Sequence, residues 1–431
     1  MKRPWLAAAK TAAFTGILFL VVYNLCNRLT HIRPDIGVWA FSWEQHWPLV
    51  PAMIVPYWSI DLLFVLAPFF CATREDIAVH QRRLVFVILG SAIGFLLIPL
   101  RFAFPRPEVA GVFAPWFDAL YSFDLPHNLF PSLHIALRTV LAALYVRESR
   151  GAWRWLVHGW FSLIGISTLV TFQHHLVDVL GGFWMAAIAM HLFRFQEHSP
   201  QPARNWTMTA IYAAIAIACT QLARVAWPWT FLFVWPAFAF GTAAFGYAGH
   251  GSIYRKEDGQ LTFVTRLLFG PLLVGQWISW WYYRRQSVRW SELTPQVWLG
   301  RVLREKEARE AIAAGVTAVL DMTVEFSRPP SFGTIRYLNV PVLDLTAPTS
   351  AQLAEAVAFI ERESKSGIVY VHCKAGYSRT AGAAAAWLIA TDRVRSAGDA
   401  FEQLATARPH IVIRPEIRTA LAGMKAVSPT A

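Results

Sequence analysis

Charged side chains are scarce in this chain, because only 15% of its 431 residues are Asp, Glu, Lys or Arg. Soluble proteins carry about 25%, so the composition excludes a protein that is soluble throughout. The four cysteines lie mostly in or beside apolar runs, which excludes a disulfide-rich secreted scaffold. The chain also lacks a glycine-rich nucleotide fingerprint and any metal-ligand spacing of Cys and His. We therefore predict no cofactor and no metal ion.

Apolar residues make up 55% of the chain, which contains 20 Trp and 30 Phe. The net charge of +12 could indicate nucleic acid, but the basic residues stand in short groups between apolar runs. That arrangement is typical of membrane-protein loops, so we predict membrane association and no nucleic-acid partner. Eight runs approach the ~20 apolar residues that a span needs. They are residues 11–28, 49–71, 84–103, 131–147, 154–173, 175–194, 206–223 and 227–248.

A further apolar run, 261–283, is interrupted by Arg266, Gly270 and Pro271 and ends in aromatic residues. Such a segment can span, re-enter or lie at the membrane interface, and its aromatic end favours the interface. Most basic residues next to the eight predicted spans lie in the loops on the N-terminal side of the membrane. The positive-inside rule makes that side cytoplasmic, together with the chain beyond residue 250.

The sequence pattern changes at about residue 287, where short β-like runs begin to alternate with helical stretches. The β-like runs are 317–322, 337–343 and 367–372, and the helical stretches include 304–314 and 349–366. This alternation predicts a soluble α/β domain over residues 287–431. The predicted fold class is thus a polytopic α-helical membrane domain (1–250), an interfacial linker (251–286) and this α/β domain.

Cys373 ends an apolar run that begins at Ile368 and precedes an Ala-rich, helix-forming stretch. A strand that feeds a tight loop and a helix directs several backbone N–H groups and the positive helix end at one point, where a phosphate would bind. The same field favours a thiolate at the start of the loop. Arg379, six positions later, can bind two phosphate oxygens with its planar guanidinium, and Thr380 can donate a hydrogen bond to the sulfur.

These residues predict attack by Cys373 on phosphorus, a cysteinyl-phosphate intermediate and its hydrolysis. Asp344 follows a predicted strand 29 residues before Cys373 and is the candidate general acid, then base. A structural cysteine and a turn-forming aspartate are the alternatives. His372 is expected to brace the loop. The predicted phosphate-binding residues are Lys374, Ala375, Gly376, Tyr377, Ser378 and Thr380.

The segment from about 296 to 425 resembles the dual-specificity branch of the protein tyrosine phosphatases, and within it the mitochondrial-type phosphatidylglycerophosphate phosphatases. The resemblance is carried by Trp298-Leu-Gly300, Asp344-Leu-Thr-Ala-Pro348, His-Cys-Lys-Ala-Gly around Cys373, and Ile413-Arg414-Pro415. Lys374 and Ala375 also make the loop similar to that of the phosphoinositide 3-phosphatases. Tyr377 departs from those families, which usually carry Arg or Lys at that position. The resemblance implies a phosphorylated lipid headgroup as substrate.

A second set of polar residues falls at the ends of the predicted spans, on the outer side of the membrane. Ionisable residues in such positions are costly, so a functional role is the default hypothesis. The set is Arg101, Arg106, Ser132, His134, His174 and Asp178. Their spacing, within residues 49–195, resembles the type 2 phosphatidic acid phosphatase superfamily and its inositol-phosphorylceramide synthase branch.

That resemblance implies that His174 attacks phosphorus, that Asp178 orients it, and that His134 protonates the leaving group. It also implies a phosphate-binding role for a second group, Arg101, Arg106 and Ser132. The chain departs from the family because Arg101 stands five residues before Arg106 instead of seven, and because Ser167-Thr168 replaces Ser-Arg. His127 and His175 are nearby and remain possible members of the site.

The sequence therefore predicts an integral membrane phosphatase with two active sites that act on phospholipids. We expect it in a bacterial inner (plasma) membrane, with the cysteine site in the cytoplasm and the histidine site on the outer face. One alternative is a membrane-anchored protein tyrosine or dual-specificity phosphatase whose membrane domain binds lipid or transfers a headgroup. Another is a receptor in which one site only binds its ligand.

Overall fold

The computed structural model describes residues 3–193, 204–226, 229–250 and 253–422. The chain divides into two compact units, Met1–Glu197 and His198–Ala431. The predicted division at residues 250 and 286 rests on the sequence pattern, and it stays a prediction. Predicted elements that include residues 194, 227 or 228 partly lie outside the described residues.

The first unit is built from α-helices joined by loops of different lengths. Its helices are α1 (Trp5–His31), α2 (Ile54–Phe70), α3 (Arg74–Leu97), α4 (Ala114–Phe123), α5 (Leu133–Glu148), α6 (Gly151–Val170) and α7 (Leu176–Leu192). Helix α3 begins where Thr73 accepts a hydrogen bond from the Asp76 N–H and donates its own N–H to the Asp76 carboxylate. It ends at Leu97, so Arg101, which the predicted span 84–103 includes, lies in the loop after the helix.

Four segments of the described chain are long and apolar enough to cross a membrane. They are Trp5–His31, Pro51–Phe70, Arg74–Leu97 and Trp206–Val225. The apolar helices Leu176–Leu192 and Leu232–Tyr247 are shorter. Each of the eight predicted spans overlaps one helix, but the number of spans that cross the bilayer stays a prediction.

The second unit begins with a helical segment. This segment comprises α8 (Trp206–Val225), α9 (Phe231–Tyr247), the strands β1 (Lys256–Glu257) and β2 (Gln260–Leu261), α10 (Phe263–Leu268) and α11 (Gly270–Gln286). An α/β region follows. It comprises β3 (Trp290–Thr294), β4 (Val297–Arg301), α12 (Glu305–Ala313), β5 (Val316–Thr323), β6 (Arg336–Val342), α13 (Ser350–Glu363), β7 (Ile368–Cys373), α14 (Ser378–Ala390), α15 (Ala397–Ala407) and α16 (Pro415–Ala422).

The five α/β strands form one sheet in the order β3-β4-β7-β5-β6, in which only β3 is antiparallel to its neighbour. Predicted strands 317–322, 337–343 and 367–372 correspond to β5, β6 and β7, and the α/β prediction is confirmed. The edge strand β3 and its neighbour β4 were not predicted. Because β4 to β7 are parallel, their carboxyl ends lie at one edge of the sheet, and Cys373 ends the strand in the middle.

Alternate residues of the strands pack on opposite faces of the sheet. Leu320 and Val371 belong to the core formed with α13 to α16 around the buried Trp387. Val319 and Tyr370, one position earlier on the same strands, belong to the core formed with α12. Both faces are therefore covered, which explains why these strands read as nearly continuous apolar runs.

Lys256, on the β1–β2 hairpin, forms a buried ion pair with Asp321 on β5, at 2.7 Å. Burial opposes ionisation of Asp321, but the ammonium of Lys256 outweighs it and lowers the pKa of Asp321 to about 2. The charge pair therefore stabilises the fold at pH values above the ordinary pKa of an aspartate, and this stabilisation is lost as the pH falls toward 2. Replacing Lys256 would leave a buried, unpaired carboxylate.

We expect Lys256→Met to lower the free energy of unfolding by about 3–5 kcal/mol at neutral pH. The deficit should shrink between about pH 5 and pH 2, where Asp321 becomes protonated in both proteins. Thermal or urea unfolding of the full chain in detergent measures both effects. Lys306→Met, at an exposed position, is the matched control. A deficit that does not vary with pH would argue against the ion pair as its cause.

Candidate active sites

Cys373 is the last residue of β7, and a loop of four residues separates it from α14. The Cys373 side chain is buried. Two acidic residues, Glu325 after β5 and Asp344 after β6, follow neighbouring strands at the same sheet edge. The sheet topology thus brings together residues that lie up to 54 positions apart in sequence.

The loop after Cys373 is tightly braced. Gly376 has a φ of +74°, and a Cβ there would lie 2.5 Å from the carbonyl oxygen of Gly300, so a larger residue does not fit. The buried guanidinium of Arg408 donates to the carbonyl oxygens of Gly376 (2.9 Å) and Ala375 (3.3 Å). Arg408 was not predicted, because nothing in its local sequence indicates that it returns to this loop.

Arg379 lies in the first turn of α14 and is buried. Its guanidinium donates two bonds to the Glu325 carboxylate, at 2.6 and 3.1 Å, and one to Asp344, at 3.1 Å. Burial acts against the charged form, but the carboxylates of Glu325 and Asp344 hold the pKa of Arg379 well above its ordinary value. Glu325 was not predicted, although an acidic residue just after a parallel strand is a usable signal.

Asp344 lies beside two cationic side chains. Its carboxylate accepts from Arg379 and forms an ion pair with Lys374. Burial raises the pKa of Asp344, but Arg379 and Lys374 outweigh it and hold the pKa below its ordinary value. The Lys374 ammonium also donates to Gln276 (3.2 Å) and Ser279 (3.1 Å) of α11. The structure thus brings the loop after Cys373, Arg379 and Asp344 together.

The remaining predicted residues of the loop differ in their contacts. Tyr377 packs edge-on against Tyr283, with ring centroids 6.0 Å apart. The hydroxyls of Ser378 and Thr380 are buried and make no hydrogen bond within the described residues. The expected bond from Thr380 to the sulfur is therefore not formed. His372 lies 3.8 Å from Asp321 and stacks on Tyr370, which is consistent with a bracing role.

In the first unit, a cavity is lined by both predicted catalytic histidines, His134 and His174. Aromatic and acidic side chains complete much of its wall, among them Tyr57, Asp61 and Asp124. His134 stacks on Tyr57, with ring centroids 4.3 Å apart. Asp61 and Asp124 were not predicted, because acidic residues in apolar runs carry no spacing signal by themselves.

Asp178 lies near His174 but does not hydrogen bond to it. The distance from its Oδ2 to His174 Nδ1 is 3.7 Å, and the same oxygen accepts from the His175 N–H at 2.8 Å. Both ring nitrogens of His175 are occupied, one by Glu44 and the other by the Ala103 N–H. His175 is therefore a structural residue, held between a short helix at Ser42–His46 and the loop after α3.

The predicted phosphate-binding residues of this unit are less closely grouped. Arg106 donates to the carbonyl oxygen of Asp124 at 2.7 Å, which places it next to the cavity wall. Ser132 is buried and caps α5, where it accepts from the Ile135 N–H. Arg101 is exposed. Among the described residues that line the cavity, Arg101, Arg106 and Ser132 are all absent.

A buried cysteine before a braced loop, a buried arginine after it and an aspartate in the loop that follows β6 define a cysteine-type phosphatase domain, a phosphoric monoester hydrolase. Residues 297–425 match the family "Dual specificity phosphatase, catalytic domain". The chain is 34% identical over 146 residues to phosphatidylglycerophosphatase and protein-tyrosine phosphatase 1 of Rattus norvegicus, covering 31% of this chain and 71% of that protein. The chain belongs to the dual specificity phosphatase family.

Two other comparisons cover the same region. Dual specificity protein phosphatase 2 of Mus musculus is 38% identical over 107 residues, which are 24% of this chain and 33% of that protein. The chain thus spans about a third of the length of that relative. Among solved structures, the crystal structure of PTPMT1 is 30% identical, with a TM-score of 0.29, and covers 31% of this chain and 90% of that chain.

Proposed function

We propose that the C-terminal domain hydrolyses phosphate monoesters of phospholipid headgroups through a cysteinyl-phosphate at Cys373. The thiolate attacks phosphorus, the bond to the headgroup oxygen breaks, and Asp344 gives that oxygen a proton. A water then attacks the phosphocysteine, Asp344 takes a proton from it, and the phosphorus–sulfur bond breaks to release inorganic phosphate and regenerate the thiolate. The observation that carries this proposal is the convergence of Cys373, Arg379 and Asp344 at one sheet edge.

The charges around Asp344 suit this cycle. In the free protein Arg379 and Lys374 hold the pKa of Asp344 low, so it is a carboxylate. A phosphate dianion bound by the same two cations competes with Asp344 for them and adds a negative charge nearby. Both effects raise the pKa of Asp344, which then carries the proton that the leaving group needs. Arg379 and the N–H groups of residues 374–378 would hold the phosphate oxygens.

The choice of a lipid headgroup as the substrate rests on two further observations. A relative that the chain largely covers is named as a phosphatidylglycerophosphatase. Helix α11, which contacts Lys374, exposes a second face of apolar and aromatic side chains at helical spacing. These are Val274, Trp277, Ile278, Trp281 and Tyr282. Such a face suits the membrane interface, as predicted for residues 261–283, and it would present the catalytic loop to headgroups.

The alternative is a protein phosphatase anchored in a membrane, and the names of several relatives favour it. A paired assay of the full chain separates the two. Phosphatidylglycerophosphate and phosphoinositides in mixed micelles are compared with a phosphotyrosine peptide, each with the wild type and Cys373→Ser. The lipid proposal requires the lipid kcat/KM to exceed that of the peptide and to be lost in Cys373→Ser. Loss of peptide turnover alone would support the alternative.

We also propose a second catalytic site in the first unit, of the type 2 phosphatidic acid phosphatase kind. His174 would attack the phosphorus of a lipid phosphate or headgroup phosphodiester while His134 protonates the leaving oxygen. Water or an acceptor hydroxyl would then take the phosphoryl group from the histidine. The supporting observation is the cavity that both histidines line, with Arg106 bonded to its wall. Because Asp178 is 3.7 Å from His174, it would orient the ring mainly through charge.

Replacing His174 by alanine in a Cys373→Ser background should lower the turnover of phosphatidic acid or of a headgroup phosphodiester at least about 100-fold, because the nucleophile is lost. Phosphate release and headgroup transfer are both measured. The matched control is His158→Ala, at an exposed position on α6. Unchanged turnover in His174→Ala would remove the second site and leave the first unit as an anchor or a lipid-binding receptor.

We further propose a location in a bacterial plasma membrane, with residues 287–431 in the cytoplasm and the histidine site on the outer face. Four apolar helices long enough to span support membrane insertion. The distribution of basic residues supports the orientation. A cytoplasmic location also keeps Cys373 in a reducing compartment.

A further inference from the structure

The loop that carries Asp344 is held by side chains from outside residues 297–425, the region that matches the family. Tyr247, at the end of α9, donates its hydroxyl to the carbonyl oxygen of Asp344 at 2.9 Å. Asn205 donates its amide to the carbonyl oxygen of Leu345 at 2.8 Å. Leu345 has a φ of +60°, a strained conformation for a non-glycine residue that persists only where neighbours fix it.

The two donors are also held to each other. The Asn205 N–H donates to the carbonyl oxygen of Tyr247 at 2.9 Å, and its side-chain oxygen caps α8 by accepting from Met208. Tyr247 is only 2% exposed and packs against Tyr212 of α8, with ring centroids 5.4 Å apart. The adjoining ends of α8 and α9 therefore present a fixed pair of donors to two consecutive carbonyl groups of the acid loop.

Helix α11 is linked to the Asp344 carboxylate through Lys374. Its Gln276 and Ser279 accept from the ammonium of Lys374, which pairs with Asp344. Trp280 donates to the carbonyl oxygen of Val302, whose N–H in turn donates to the carbonyl oxygen of Lys374. The helix thus fixes both the side chain and the backbone of the first loop residue after Cys373.

We propose that Tyr247 and Asn205 are positioning residues for Asp344, and that Gln276 and Ser279 are positioning residues for Lys374. The phosphatase site then extends beyond the family's catalytic domain and includes α8, α9 and α11. This inference rests on the proposed role of Asp344 as the general acid. Tyr247 acts through the loop backbone, so its removal should affect proton donation without removing a phosphate contact.

The test compares two substrates of the full chain that differ in their need for an acid. We expect Tyr247→Phe to lower kcat/KM for phenyl phosphate, a poor leaving group, about fivefold to tenfold more than for p-nitrophenyl phosphate, as loss of one hydrogen bond predicts. Asp344→Asn should show a larger effect of the same kind. In the double variant, Tyr247→Phe should add nothing further. Tyr212→Phe is the matched control, because its ring packs on Tyr247 and, in the part of the chain that the structure describes, its hydroxyl makes no hydrogen bond to the acid loop.

The outcomes separate the inference from the proposed function. If Asp344→Asn changes the ratio of the two kcat/KM values but Tyr247→Phe does not, the positioning role is wrong and the acid role stands. Equal losses for both esters in Tyr247→Phe would also overturn the positioning role, because a merely structural defect acts in that way. If Asp344→Asn leaves the ratio unchanged, both the acid role and the inference fail.

A second measurement tests α11. Gln276→Ala should raise the inhibition constant of inorganic phosphate about threefold to tenfold, because Lys374 loses an acceptor that aligns it. Tyr212→Phe should leave this constant unchanged. An unaltered inhibition constant in a normally folded Gln276→Ala protein would show that Gln276 is not a positioning residue.

Discussion

Arg379→Lys is expected to lower kcat/KM of the cysteine site at least about 100-fold while the domain stays folded. The lysine keeps the positive charge but has no planar fork, so it cannot bind two phosphate oxygens and Glu325 together. In the structure the guanidinium already binds Glu325 through two hydrogen bonds, which fixes its orientation. Steady-state kinetics with p-nitrophenyl phosphate measures the loss.

Arg379→Met tests how much this arginine contributes to stability, because it removes the positive charge that Arg379→Lys keeps. It leaves the Glu325 carboxylate buried without its partner, so the free energy of unfolding should also fall, by about 3–5 kcal/mol. Arg393→Lys, at an exposed position, is the control for the lysine substitution. An Arg379→Lys protein with near wild-type kcat/KM would contradict the proposed grip on phosphate.

Cys373→Ser is expected to reduce phosphate release from every substrate of this domain at least about 1000-fold, because a serine hydroxyl here has no adjacent base to activate it. Phosphate binding should persist, since the loop, Arg379 and Arg408 are unchanged. Cys219→Ser is the matched control, because that thiol lies on α8 and has no part in the proposed chemistry. Residual turnover within tenfold of the wild type would assign the nucleophile elsewhere.

Local sequence patterns predicted β5, β6 and β7 because these strands are bounded apolar runs between helical stretches. The edge strand β3 escaped prediction because it carries a mixed pattern, with Glu292 exposed and Leu293 buried. The start of α3 was placed ten residues too late. Polar residues fill its first turns, and the capping pair of Thr73 and Asp76 marks the true start.

The cysteine site was predictable where its residues are neighbours in sequence, from Cys373 to Thr380. Glu325 and Arg408 escaped because they reach the site only through the sheet and the later helices. Tyr247 escaped for the same reason, since it lies in an apolar helix 97 residues before Asp344. In the first unit, His134 and His174 were predicted together and line one cavity, whereas Arg101 is exposed.

The cysteinyl-phosphate is the central claim, and its direct detection tests the claim most sharply. Asp344→Asn slows the second step, so mixing this variant with p-nitrophenyl phosphate and quenching rapidly should trap the intermediate. Mass spectrometry of the digested protein is expected to find one phosphoryl group on the peptide that contains Cys373. The double variant Asp344→Asn/Cys373→Ser is the control, and the phosphoryl group is expected to be absent from the corresponding peptide. A phosphoryl group on another residue, or none during measurable turnover, would contradict the account.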